Sequence, residues 1–446
     1  MLHPTMATTG VDRLRTSLTL AAEAIRSGGV SSQELAEACL ERARAVEPRL
    51  HAFAWLDAAD VRRRAAAVDG SPPSPGTGLR GVPIGVKDIF DTAGVPTECG
   101  SSLLAGRVPE RSAAAVGNLE AGGAFVFGKT VTAELAYLRP GPTRNPWDLQ
   151  RTPGGSSMGS AAAVAAGIVP GAIGSQTAGS VIRPAAFCGV VGFKPTLGRL
   201  PTARCLELSR TLDHVGCFAQ TVQDVGLLAA AAEGEPGFEL PARMSAPSFL
   251  VARTNDWEFA EEAARIRFEA DVARLRSAGS RLEEASLPAA LDAARSVHRR
   301  ILAVEASRAL AGLVAGHEGE VGAALADLLA EGRRMSDSDY QEALAERREL
   351  MSLYGSFIDG FDAMLTPPAL GEAPPADTTG DSRFCVRWTL LGVPAVVIPS
   401  GLGPARLPLG LQLVGRAGKD DLLLAAAVWV EARLDKLSPP RPESIS

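Results

Sequence analysis

Gly174-Ser175-Gln176-Thr177-Ala178-Gly179-Ser180-Val181-Ile182-Arg183-Pro184 is a glycine-rich turn that passes through a serine and runs on to an arginine. A second turn of similar texture lies upstream, Pro153-Gly154-Gly155-Ser156-Ser157-Met158-Gly159-Ser160. Before both, Gly81-Val82-Pro83-Ile84-Gly85-Val86-Lys87-Asp88 carries a strand-like run onto a lysine. Together the three segments can supply a nucleophile, a proton relay and a base with no histidine. A serine hydroxyl is a poor nucleophile at neutral pH and needs such a base. A lysine serves only when neutral, so its reference pKa of about 10.4 must fall by roughly 3 units, or about 4 kcal/mol. Burial in an apolar wall supplies shifts of that size, and Val82 to Val86 gives Lys87 an apolar approach. Taken alone, the same lysine also fits a surface strand end paired with Asp88, because charged side chains are mostly exposed.

Two further motifs point elsewhere. Residues 123–130 match G-x-x-x-x-G-K-[ST] at every position. That pattern works through a flexible loop whose N–H groups wrap a phosphate, whereas Ala124, Phe125, Val126 and Phe127 read as a β-strand ending in a turn. Gly155-Ser156-Ser157-Met158-Gly159 matches the nucleophile elbow G-x-S-x-G, which requires a histidine downstream. His214 sits in a strand-to-turn segment. His298 and His317 lie on or beside charged helices and are expected to face solvent. An elbow hydrolase leaves Lys87 and the 174–184 segment unexplained.

The chain has 446 residues, and its 46% apolar content is enough for a substantial core. Fifty-one acidic against 45 basic residues give a net charge of −6, which offers no electrostatic footprint for nucleic acid. Cys39, Cys99, Cys188, Cys205, Cys217 and Cys385 are scattered without a Cys-x-x-Cys pair. They read as buried free thiols in a reducing cytoplasm, not as a metal or redox site. Residues 1–10 lack the features of a signal peptide, and no run of 18 apolar residues occurs. The expectation is a cytoplasmic protein with no nucleic-acid and no membrane partner.

Residues 12–69 read as N-terminal helices. Ser31 and Glu34 fit a capping box there, and Leu35, Ala38, Cys39, Ala43 and Val46 follow helical spacing. Residues 70–78 read as a linker. A core over 80–230 alternates short strands (Val82–Val86, Ala124–Phe127, Val190–Phe193) with small-residue helices such as Ala161–Ala166. Residues 256–358 are charged, alanine-rich and helical. Residues 362–436 return to strands at Ala363–Leu365, Ala395–Ile398 and Leu409–Val414, then close with a helix near 420–434. Such alternation argues for an α/β fold, a sheet covered by helices, with 1–446 as a single domain.

The lysine segment is followed by Ala93-Gly94-Val95-Pro96-Thr97, and the second serine turn by Gly189-Val190-Val191-Gly192-Phe193-Lys194-Pro195-Thr196. Leu391 to Pro399 and Pro408 to Val414 follow in order. With these, most of the chain resembles the amidase signature family of Ser-Ser-Lys amide hydrolases. The resemblance implies one large α/β/α domain with a mixed central sheet. It also implies a small-molecule amide substrate and no metal or organic cofactor. Carried over residue by residue, Lys87 is the base, Ser156 follows a cis peptide bond and relays the proton, and Ser180 attacks the amide. The backbone of Thr177, Ala178, Gly179 and Ser180 can then form a nest for the developing oxyanion. Ser157 and Ser175 are expected either to support Ser156 and the lysine by hydrogen bonds or to serve ordinary turn chemistry.

Three positions depart from the broad family pattern. Met158 stands where glycine or serine is usual, Gln176 where an acidic residue is common, and Arg183 follows Ser180 by three residues instead of two. The last two are similar to the malonamidase-like branch, which implies that Arg183 anchors the carboxylate of a substrate such as malonamate. An arginine fork suits that task; a structural ion pair under the turn is the alternative. A homodimer is the common assembly in that branch. The competing expectations are the glutaminase (A) subunit of a tRNA-dependent amidotransferase, with a partner subunit, and a catalytically inactive scaffold or binding protein.

Overall fold

The computed structural model describes residues 10–71, 78–234, 245–437 and 440. Most of the expected 70–78 linker and the stretch 1–9 read for a signal peptide lie outside the described residues.

Eleven strands form one mixed sheet: β1 (Phe53–Trp55), β2 (Pro83–Lys87), β3 (Phe125–Thr130), β4 (Gly171–Gln176), β5 (Val191–Lys194), β6 (His214–Ala219), β7 (Ser248–Ala252), β8 (Arg281–Ala285), β9 (Ala363–Thr366), β10 (Ala395–Leu402) and β11 (Pro408–Val414). Their spatial order is β1-β3-β2-β4-β6-β5-β10-β11-β9-β7-β8. β2 is parallel to both β3 and β4. The run from β4 through β6, β5, β10 and β11 to β9 is antiparallel, and β7 is parallel to β9 and β8. β2 to β6 are buried along their whole length, as helix-covered strands must be.

The phosphate-loop look-alike is a strand. Phe125–Thr130 is β3, and Lys129 is turned into the core against Asp88 at 3.1 Å, with Phe90 O at 2.9 Å. The Ser31–Glu34 capping box forms in full at the start of the Ser32–Leu50 helix. All six cysteines are unpaired, five of them buried and Cys205 half-buried. Among the described residues no helix is long and apolar enough to cross a membrane.

Two expectations need correction. The 256–358 stretch is not helical throughout, because Arg281–Ala285 forms β8 beside β7. Arg-Leu-Glu-Glu-Ala favours helix by propensity. The preceding helix ends at Ser277, however, and Gly279 at φ +98° redirects the chain to the sheet edge, where charged side chains remain in water. Ser175 does not lie in a turn either. It belongs to β4, between β2 and β6. Gly-Ala-Ile-Gly-Ser-Gln has little strand propensity, but a Cβ on Gly174 would meet Ser157 Oγ at 2.6 Å and Phe218 at 2.8 Å. Small residues are required there because neighbouring elements approach the backbone so closely.

The same constraint governs the Met158–Ala165 helix, which is buried on every side. A Cβ on Gly159 would lie 2.1 Å from Ala52 O and 2.4 Å from Val131 N. Both obstacles are backbone, so no side chain can swing aside. Gly159→Ala should therefore destabilise the protein by about 3 kcal/mol, the upper end for overpacked sites. Chemical denaturation would register this as a lowered midpoint. An unchanged midpoint would mean that the helix can slide off the sheet.

Candidate active site

Lys87 is the last residue of β2 and is fully buried. Its Nζ lies 2.7 Å from Ser156 Oγ and 2.8 Å from Ser175 Oγ. Loss of solvation lowers its pKa from 10.5 to about 7, opposed in part by the Asp213 charge. The surface pairing with Asp88 does not form, since that carboxylate faces Lys129 and also accepts from Glu98 N at 3.1 Å. An amine so placed can exist neutral near pH 7 and take a proton from Ser156.

Ser156 and Ser157 open the buried Met158–Ala165 helix, and the Gly155–Ser156 peptide is cis. Ala133 N donates to Ser156 O at 3.0 Å. Ser157 Oγ bonds the backbone of Ser175, donating to its O at 3.1 Å and accepting from its N at 3.3 Å. The two supporting serines thus divide the work: Ser175 reaches the lysine directly, while Ser157 ties the helix to β4. Met158 fills the space beside them, its Sδ accepting from Gly141 N at 3.2 Å.

Ser180 stands where the chain leaves β4 and enters the Ile182–Cys188 helix. Among the described residues its hydroxyl makes no hydrogen bond. Catalytic contacts are often loose without substrate. The N–H groups of Ala178, Gly179 and Ser180 likewise find no acceptor among the described residues, so this turn presents consecutive donors. Gln176 holds the turn from below. Its Oε1 accepts from Val181 N at 2.9 Å and Ile182 N at 3.0 Å, and its Nε2 donates to Thr389 Oγ1 at 2.9 Å. An amide can donate and accept at once, which the carboxylate common at this position cannot.

Arg183 lies under both turns. Its Nη2 donates to Gly155 O at 2.6 Å, joining the Ser156 turn to the Ser180 turn. Among the described residues it makes no ion pair; Nε and Nη1 have no acceptor and are closed to solvent. Asp213 accepts from Leu208 N, Ser209 N and Thr177 Oγ1 at 2.8, 2.9 and 2.5 Å. Burial raises its pKa to about 6 against those donors.

The histidines divide differently from expectation. His317 is exposed beside Glu320. His214 is buried, with Nδ1 at 2.7 Å from Leu212 O, and makes no bond to Ser157. His298 does not face solvent. It is 4% exposed, its Nε2 lies 2.8 Å from Thr177 O, and burial lowers its pKa to about 4, so it is neutral at pH 7. The flanking charges of the Ala294–Ala309 helix suggested a solvated face. Helix rotation turns His298 inward with Val297, Ile301 and Leu302, and the charged neighbours Arg299 and Arg300 outward. Neither His298 nor Thr389 carried any motif that could have signalled it.

Comparison with known proteins bears on the family and the fold. A family model described as Amidase matches residues 34–424. The chain is 33% identical to the A subunit of glutamyl-tRNA(Gln) amidotransferase from Roseiflexus sp. (strain RS-1), over 92% of this chain and 94% of that one. A crystal structure of an amidase superposes with a TM-score of 0.85 at 33% identity, covering 94% of this chain and 100% of that chain. The peptide amidase from Stenotrophomonas maltophilia superposes at 0.82 with 28% identity, covering 96% and 98%.

Proposed function

This chain belongs to the amidase signature family of amide C–N hydrolases, and we propose that it converts a small carboxamide to acid and ammonia through an acyl-enzyme on Ser180. The carrying observation is the buried Lys87 amine, with a pKa near 7, bonded to Ser156 beside a turn whose N–H groups have no acceptor among the described residues. In this reading Lys87 accepts the Ser156 proton as Ser156 accepts that of Ser180. Ser180 Oγ attacks the carbonyl, and the N–H groups of the 177–180 turn hold the oxyanion. The proton returns to the leaving ammonia, and water repeats the sequence to release the acid. Ammonia release from a panel of aliphatic, aromatic and carboxylate-bearing amides tests it; silence on every amide would overturn it.

A carboxylate-bearing substrate such as malonamate is the finer proposal, and it rests on Arg183. Among the described residues two of its nitrogens lack an acceptor and no carboxylate forms an ion pair with it, Asp381 acting on it only from a distance. Nε and Nη1 are closed to solvent, so a carboxylate reaches the guanidinium only if the packing around it opens. If Arg183 anchors it, Arg183→Ala costs about 2–5 kcal/mol more on malonamate than on propionamide. Equal losses on both substrates would make Arg183 only the link between the two turns and would end the malonamate proposal.

A second reading is favoured by sequence similarity to the A subunit of glutamyl-tRNA(Gln) amidotransferase. As such a glutaminase component, the chain would prefer glutamine and work with tRNA and with a partner protein. Ammonia release by the purified chain alone, compared on glutamine and malonamate, separates the two.

A further inference from the structure

Three consecutive peptides of the 177–180 turn have their carbonyls held from behind. Thr177 O faces His298 Nε2 at 2.8 Å. Ala178 O accepts from Thr389 Oγ1 at 2.7 Å. Gly179 O accepts from Arg183 N at 3.0 Å. In a trans peptide the C=O of one residue and the N–H of the next point in opposite directions within one plane. Fixing these three carbonyls therefore fixes the N–H groups of Ala178, Gly179 and Ser180, each aimed away from the partner that holds the carbonyl of its own peptide.

Two of the three clamps are side chains from distant elements. His298 lies on the Ala294–Ala309 helix and Thr389 on the Arg383–Leu390 helix. A carbonyl only accepts, so His298 Nε2 must carry its proton. The Thr389 hydroxyl has one proton to give. Gln176 Nε2 donates to its oxygen at 2.9 Å, which leaves that proton for Ala178 O or for Cys385 O, the latter longer at 3.2 Å. Gln176, Thr389 and Ala178 thus form a directed chain, in which each hydrogen bond polarises the next.

We infer that His298 and Thr389 are positioning residues that set the direction of the oxyanion donors, an inference that rests on Ser180 being the nucleophile. A donor held in place before reaction stabilises the oxyanion at no cost of reorganisation. Neither side chain need touch substrate, so both should influence the chemical step more than ground-state binding.

The test compares His298→Phe and Thr389→Val with His298→Gln and Thr389→Ser, which retain a donor. Removing the donor should lower kcat by about 10- to 100-fold, less than deleting an oxyanion donor outright, with KM nearly unchanged. Inhibition by a small alkylboronic acid, which forms a tetrahedral adduct, should weaken by a similar factor. Binding of the product carboxylate should not. The donor-retaining variants should recover most of the loss. Should Thr389→Val fail to fold, Thr389→Ala carries the same measurement. Unchanged kcat in the donor-less variants, or equal weakening of boronate and product, would overturn the inference. Ser180→Ala run in parallel separates the two layers. Activity there removes the nucleophile assignment and this inference with it. Inactivity there, with kcat intact in the other variants, overturns this inference alone.

Discussion

Ser180→Ala should abolish ammonia release and acyl transfer to hydroxylamine while leaving the fold intact. Ser180 is 7% exposed at the junction of β4 and the Ile182–Cys188 helix, and its hydroxyl supports no hydrogen bond among the described residues. Its removal should therefore cost little stability. The loss in kcat should be about 10⁴- to 10⁶-fold, as expected where nucleophile and base act as a unit. Circular dichroism and the denaturation midpoint should match the parent. Full activity would discard the mechanism and reopen Ser157 with His214, although no hydrogen bond joins that pair here.

Lys87 should behave as a neutral base bought at the expense of stability. With a pKa near 7, the fraction of free amine, and activity with it, should rise with pH along a limb centred there. Lys87→Ala should lose several orders of magnitude. Lys87→Arg should not rescue, because a guanidinium stays protonated. An active arginine variant would show that only a fixed charge is needed.

The same shift makes a stability prediction. The folded protein releases the lysine proton near pH 7, while the unfolded chain holds it to about 10.5. The cost of burying Lys87, up to about 5 kcal/mol, is therefore fully present below pH 7 and fades as pH rises toward 10.5. Lys87→Met should be inactive yet more stable than the parent at pH 6, with its advantage shrinking by pH 9. Lys194, also lowered to about 7 by burial, titrates in both proteins and cancels. Denaturation at the two pH values decides the matter. A variant less stable than the parent at pH 6 would mean that the lysine's hydrogen bonds outweigh its desolvation.

Much of this was legible along the chain because it is local. Val82 to Val86, Val190 to Phe193 and Leu409 to Val414 carry apolar β-rich runs, and each is a strand or nearly so in the fold. Ser31 and Glu34 carry a capping box that depends only on residues three apart. The order of the lysine segment and the two serine turns identified the family before any contact was known. By contrast, β4 is written in glycine, alanine and serine, whose place in a strand comes from the close approach of Ser157 and Phe218. β8 is written in helix formers and becomes a strand only because β7 presents a free edge.

The amino-acid sequence by itself determined which side chains could do the chemistry: one amine at a strand end and two serines in small-residue turns. Only the tertiary structure decided the state and surroundings of those groups. Lys87 is poised near pH 7 because the packed core removes water from its amine, and Ser156 and Ser175, 69 and 88 positions away, are brought within hydrogen-bond distance of it. Arg183 lies under the turns because its Nη2 meets Gly155 O. His298, expected in solvent, reaches Thr177 O, 121 positions away in the chain. Desolvation and hydrogen-bond direction belong to the packed environment, and residues so far apart leave no periodicity or spacing from which either could be read.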